Sequence, residues 1–285
     1  MDNIYRPNPT SAIGNLSLCM ATHSIICLNN NIQPFFHKDV LNYGRDKILQ
    51  IPNIVDEDVP EDNGHGMING FIHLKMPSIG NVMKQIIKPT PFLENFLEKF
   101  KKELDYKKFV AGFHIRRGLI AEDSKNFAFH PFASQKAVDS MIEEALKLDE
   151  PVYVLSDSVS TKEYFKSKVP KAEFLDIKIG FTADEHSQKV EVEDESFFNK
   201  VNSFCEWFLL SEMPKIYMTS GGINGRNVDE MVEEGITSTF GYSAALYGGK
   251  IPYYVFNDGH IHYPDGKDFQ YNQKRYCWSD MPSIN

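Results

Sequence analysis

A strand-length apolar run, Phe109-Val110-Ala111-Gly112-Phe113-His114-Ile115, ends in Arg116-Arg117-Gly118. In parallel α/β sheets ligands bind beyond the carboxyl ends of the strands, so an anion would be met here. Two adjacent guanidinium groups are costly at such a place unless they face an anion or acidic partners. Side chains alternate along a strand, which sends Arg116 and Arg117 to opposite sides. One is expected to hold a ligand and the other to brace the loop; a pair of surface arginines among acids is the competing reading. A second signal is Thr237-Ser238-Thr239-Phe240-Gly241-Tyr242-Ser243-Ala244-Ala245-Leu246. Ser238 suits the N-cap of a helix whose first N–H groups and dipole attract an anion, with the Ser238 and Thr239 hydroxyls as added donors. The same residues also make an ordinary cap. A third is Val152-Tyr153-Val154-Leu155-Ser156-Asp157-Ser158. Asp157 ends a strand, where it can accept hydrogen bonds from a base or a sugar, or cap the next helix.

The elements that carry these residues follow from hydrophobic periodicity. Leu93, Phe96, Leu97, Phe100 and Leu104 share one helical face. Beyond them strand and helix patterns alternate. Helices are predicted near 135–148 (Val138, Met141, Ile142, Ala145 and Leu146 inward), 162–167, 197–211 and 239–247; strands near 109–115, 152–155, 173–177, 215–218 and 251–256. Such alternation implies right-handed βαβ units and a parallel sheet. Residues 107–285 are therefore expected to form one doubly wound Rossmann-like half. The region 1–106 is less regular. Residues 13–28 read as a loop followed by a helix, and 48–55, with Pro52, as an edge strand. A boundary near residue 106 would leave two α/β halves.

At 285 residues the chain is long enough for that arrangement. Its 42% hydrophobic and 24% charged residues exclude intrinsic disorder. The net charge of −9 disfavours general nucleic-acid binding but leaves room for a local basic pocket. Cys19, Cys27, Cys205 and Cys277 form no C-x-x-C pair, so neither a disulfide scaffold nor a structural zinc is expected. The charge-free stretch 7–36 is broken by polar residues and proline, and the residues before it make a poor signal peptide. A cytoplasmic protein without a membrane anchor is the expectation.

Four segments, in order, carry a resemblance. Phe113-His114-Ile115-Arg116-Arg117-Gly118 resembles the H-x-R-R-G/T motif of the α1,2-, α1,6- and protein O-fucosyltransferase superfamily. Phe208-Leu209-Leu210-Ser211-Glu212-Met213-Pro214-Lys215-Ile216-Tyr217-Met218 is similar to its D-x-x-L-L-S segment and the strand after it. Ser238-Thr239-Phe240-Gly241-Tyr242-Ser243-Ala244-Ala245 is similar to its S-T-F-S-x-x-A-A segment, and Ser11-Ala12-Ile13-Gly14-Asn15-Leu16 to a degraded G-x-G-N. The resemblance implies an inverting glycosyltransferase with two Rossmann-like halves facing a cleft, the GT-B arrangement. GDP-fucose would be its donor substrate, with no cofactor, and a glycan or protein hydroxyl the acceptor. It assigns Arg116 to the donor pyrophosphate, His114 to the neighbourhood of the nucleotide and Glu206 to the guanine. Ser238, Thr239 and the Phe240 segment would lie on the diphosphate, Asp157 in the donor cleft, and Gly14 and Asn15 in a loop reaching toward the sugar. The chain departs from the pattern in Leu119-Ile120 after the arginines, in Ala12 for the first glycine, and in the long connection 221–235.

Glycosyl transfer needs charge stabilisation of the departing diphosphate and a base for the acceptor hydroxyl. Arg116 and the Ser238 helix start offer the first without a metal. Asp56-Glu57-Asp58 formally matches a metal-holding D-x-D, the alternative reading, but it lies in an acidic, proline-containing run that reads as a solvated loop. Glu122 and Asp123 are the candidate bases. His130, before Pro131, reads as a structural residue at a helix start. A nucleotide-sugar-binding module without catalysis is a further alternative.

Overall fold

The computed structural model describes residues 3–7, 12–60, 76–117, 133–179, 195–219 and 239–262. Strand β1 (Ile4–Tyr5) precedes helix α1 (Ile13–Asn29), which leads to β2 (Phe35–His37). Then come α2 (Arg45–Ile48), β3 (Leu49–Gln50), β4 (Ile54–Val55), α3 (Met76–Ile86), β5 (Lys88–Pro89) and α4 (Pro91–Glu103). β1, β2 and β4 form a small parallel sheet in that order, while β3 pairs antiparallel with β5. The stretch 48–55 is thus two short strands in different sheets. Pro52 has no N–H to donate, and Asn53 at φ 55° turns the chain between them.

The loop expected at the start of α1 is helix from Ile13, closed by Leu16 N–H donating to the Ala12 carbonyl at 2.8 Å. Its polar residues do not break it, because their hydroxyls return to the helix. Ser17 donates to Gly14 O, Thr22 to Leu18 O and Ser24 to Met20 O at 2.9–3.1 Å, so all three can be buried.

The larger sheet collects β6 (Ala111–Ile115), β7 (Val152–Ser156), β8 (Ala172–Glu173), β9 (Ile216–Thr219), β10 (Tyr253–Val255) and β11 (Ile261–His262). Its order is β11-β10-β9-β6-β7-β8, with β10, β9, β6, β7 and β8 parallel and β11 antiparallel at the edge. The helices between are α5 (Gln135–Leu148), α6 (Val159–Lys168), α7 (Glu195–Glu212) and α8 (Thr239–Tyr247). From β6 the chain winds outward through β7 and β8, then returns to the other side at β9. The switch point of the sheet therefore lies between β6 and β9.

Alternation on the central strands sorts the core into two layers. Phe113, Ile115, Val152 and Val154 pack with Val138 and Met141 of α5 and Phe165 of α6. Tyr153, Leu155, Ile216 and Met218 pack on the other face with α7, α8 and much of the N-terminal region. Leu146, expected inward, is 50% exposed, since it lies off the Val138–Met141–Ala145 stripe of α5. Residue 106 falls in the link between α4 and β6, but the second apolar layer runs without a break from Tyr5 to Phe256. Helix α1 packs on α3 and α8, and α4 on α7. Among the described residues no helix is long and apolar enough to cross a membrane.

Candidate functional site

Strand β6 delivers Arg116 and Arg117 to the carboxyl edge of the sheet beside its switch point. The two arginines are engaged separately. Arg116 Nε lies 3.2 Å from Oδ2 of Asp157, a half-buried pair, and its backbone N–H donates to Thr219 Oγ1 at 3.1 Å. The Arg117 guanidinium donates to the Ala133 carbonyl at 2.8 Å and to Gln135 Oε1 at 3.4 Å, bracing the start of α5. The Arg117 backbone N–H donates to Asp157 Oδ1 at 2.7 Å, so one carboxylate holds both residues of the turn. Asp157 can serve in this way because Ser158 caps α6, its Oγ accepting from Thr161 N–H at 3.2 Å.

Helix α8 starts next to this turn. Phe240 stacks on the His114 ring with centroids 5.2 Å apart and planes 20° off parallel. Gly241 lets the ring in: a Cβ there would stand 2.8 Å from His114 Nδ1. Nδ1 itself is buried and makes no hydrogen bond among the described residues. Burial first, and the Arg116 charge second, hold the His114 pKa down to about 3, so the ring is a neutral imidazole at working pH. The α8 start is held from behind by Trp207 Nε1, which donates to Ser243 Oγ at 2.9 Å.

From the N-terminal region, Gly14 and Asn15 reach the same place, in the first turn of α1 rather than in the loop expected for them. A Cβ on Gly14 would meet Thr239 C and Oγ1 at 2.6 Å and Phe240 N at 2.7 Å, so the starts of α1 and α8 touch backbone to backbone. Asn15 is half-buried, and its Oδ1 makes no hydrogen bond among the described residues. The structure thus gathers Gly14, Asn15, His114, Arg116, Arg117, Asp157, Thr239 and Phe240 around one edge of the sheet.

Glu206 lies within electrostatic reach of Asp157. It is 2% exposed on α7, with Oε1 3.6 Å from Nζ of the equally buried Lys162. Lys162 donates in turn to the Leu175 carbonyl at 3.1 Å. Burial pushes the Glu206 carboxyl up to about 7; the Lys162 ammonium opposes this and the Asp157 charge adds to it. Glu122, Asp123, His130, Ser238 and the connection 221–235 lie outside the described residues. Asp56 and Asp58 are exposed and sit 2.7 Å from Lys38 and 3.7 Å from Arg6 respectively. Among the described residues no group of three or more His, Cys, Asp or Glu is placed to hold a metal ion.

Sequence reasoning missed Lys162 and Thr219. A lysine one turn into a short helix carries no local mark of burial, and Thr219 merely extends an apolar strand; only the neighbouring strands and helices make them part of this edge. A cavity of about 600 Å³ lies at the other end of α8, between α4 and the ends of α7 and α8, and shares no residue with the constellation.

No family model matches the sequence. Solved structures do. NodZ α-1,6-fucosyltransferase from Bradyrhizobium, soaked with GDP-fucose, superposes with a TM-score of 0.54 at 9% identity, covering 91% of this chain and 96% of that one. The same enzyme co-crystallised with GDP gives 0.55. Arabidopsis thaliana FUT1, an arginine-to-lysine mutant in complex with GDP, gives 0.54 at 12% identity, over 88% of this chain and 70% of that one. At such identities the likeness concerns the fold: this chain has the mixed α/β, GT-B-type fold of these fucosyltransferases.

Proposed function

We propose that the protein is an inverting glycosyltransferase that transfers L-fucose from GDP-fucose to a hydroxyl of a glycan or protein acceptor. The observation that carries the reading is Arg116, fixed by Asp157 at the switch point and beside the start of α8. Cleavage of a nucleotide sugar builds charge on the departing diphosphate, and a preorganised cation there lowers the barrier. The described part of α8 adds its first-turn N–H groups and the Thr239 hydroxyl, with Ser238 expected just before it. Arg117 serves the loop. His114 and Phe240 form a rigid wall, Gly14 and Asn15 close the site from the α1 side, and Glu206 stands at the base end. Glu122 or Asp123 would take the acceptor proton. Support also comes from the fold neighbours, whose structures were determined with GDP or GDP-fucose. On this reading residues 1–106 form the acceptor side and 107–285 the donor side of a cytoplasmic enzyme.

A thermal-shift screen of nucleotides tests the reading. GDP and GDP-fucose should raise the melting temperature, about 2.7 kcal/mol of stabilisation at one hundred times the dissociation constant. NAD, ATP and UDP-sugars should not; a response to UDP-sugars alone would point to another donor class. Transfer of labelled fucose should also persist in excess EDTA, because fixed cations supply the charge. Loss of turnover in EDTA with recovery in manganese would point instead to a metal ion held by Asp56 and Asp58.

A further inference from the structure

The cavity at the far end of α8 lies where α7 and α8 run into β9 and β10, at the sheet edge opposite Arg116. Its walls are fixed backbone to backbone. A Cβ on Gly80 of α3 would stand 2.2 Å from the Leu246 carbonyl oxygen, and one on Gly248 2.1 Å from that of Ser211. Residues four apart share a helix face, so the Gly80 contact brings Lys84 to the cavity rim. The floor is apolar. Leu97 of α4 and Phe208 of α7 are buried there, and the Tyr247 ring meets Phe208 edge-on with centroids 5.5 Å apart. The Tyr247 hydroxyl is spent on the Ile87 carbonyl at 3.1 Å, which leaves the ring as the surface it offers.

Over this floor stands a half-buried cation. Lys250 Nζ donates to the Ser211 carbonyl at 2.8 Å and to the Gly248 carbonyl at 3.3 Å. An ammonium has three donors, so one is unused among the described residues. No carboxylate among these residues comes within ion-pair distance of it: Glu212 is taken by Lys101 at 2.8 Å, and Glu94 and Glu98 are exposed to solvent. Burial first, and the Lys84 charge second, lower the Lys250 pKa, with Glu212 opposing. An anion placed at the two ammonium groups would relieve both effects and take the unused donor. The volume, about 600 Å³, is that of a small-molecule site.

We propose that this cavity is a second binding site, for a small organic acid whose carboxylate or phosphate meets Lys250 and Lys84 and whose ring lies on Leu97, Phe208 and Tyr247. It stands independently of the nucleotide-sugar reading, because it shares no residue with the Arg116 constellation.

The test is calorimetric titration with 2-naphthoate, 2-naphthyl phosphate, the neutral 2-naphthylmethanol and the cationic 2-naphthylmethylamine. Wild type, Lys84→Gln, Lys250→Gln and Arg116→Ala are compared, with thermal unfolding to show that each is folded. At least one of the two acids should bind wild type, about tenfold more tightly than the alcohol or the amine, the scale of a charge-assisted hydrogen bond. The tighter acid tells whether carboxylate or phosphate is preferred. Each lysine variant should lose about that factor for the acid and none for the alcohol. Lys84 is exposed, so its variant tests the site even if Lys250→Gln loosens the helix ends that its ammonium ties together. Arg116→Ala should bind the acid as wild type does, whatever it does to GDP. Absence of binding by both acids at millimolar concentration, tighter binding of the amine, acid affinity unchanged in Lys84→Gln, or acid affinity lost in Arg116→Ala would each overturn the proposal. The first three leave the proposed function untouched.

Discussion

Arg116→Ala should abolish fucosyl transfer and weaken GDP binding, whereas Arg117→Ala should leave part of both. The two guanidinium groups have different employment. Arg116 is paired with Asp157 in the candidate cleft; Arg117 is committed to the Ala133 carbonyl and Gln135 at the start of α5. Removing one well-placed donor from a site that stabilises developing charge costs about 3 kcal/mol, a hundredfold or more in rate. Removing Arg117 loosens a turn that Asp157 still holds through the backbone N–H of residue 117, a contact any residue but proline can make. Lysine at 116 should rescue poorly, because a point charge lacks the planar fork that fits phosphate oxygens. The measurements are GDP affinity by calorimetry and initial rates with labelled donor. Equal losses for Arg116→Ala and Arg117→Ala would break the division of labour, and an intact Arg116→Ala protein would remove this turn from the donor site.

Gly14→Ala should destabilise the protein and impair GDP binding together, although alanine is the better helix former. Alanine in place of a helical glycine gains about 1 kcal/mol of propensity. Against that, its methyl would stand 2.6 Å from the carbonyl carbon of Thr239 and 2.7 Å from the Phe240 nitrogen. Both are backbone atoms, so no rotamer change relieves the contact. Overpacking of this kind costs about 1–3 kcal/mol, and here the relief must come from moving the start of α8 away from α1. That movement carries Thr239 and the His114–Phe240 stack with it. Thermal unfolding and GDP calorimetry on the same variant read both effects. A variant as stable as wild type, with unchanged affinity, would show that the two helix starts are not held in register by this contact.

Local pattern was enough to find the strand that ends in Arg116 and Arg117, because an apolar run of strand length followed by two cations needs no distant partner to be read. The alternation of strands and helices beyond residue 107 and the start of α8 near Thr239 were legible for the same reason. So was the expectation that the two arginines turn to different partners, since side chains alternate along a strand. Other features waited on packing. The switch point between β6 and β9 depends on which strands pair, and pairing is not local. Asp157 was open to a ligand or to the cap of α6; three-dimensional geometry gives the cap to Ser158 and Asp157 to the arginines. The stretch 13–28 reads as a loop followed by a helix; in the structure it is helix from Ile13, with its serines and threonine bonding back to their own helix. Glu206 carried no sign that a lysine forty-four residues earlier would face it across the core. A charge reveals its role only when its burial and its partner are known, and both are properties of packing rather than of sequence.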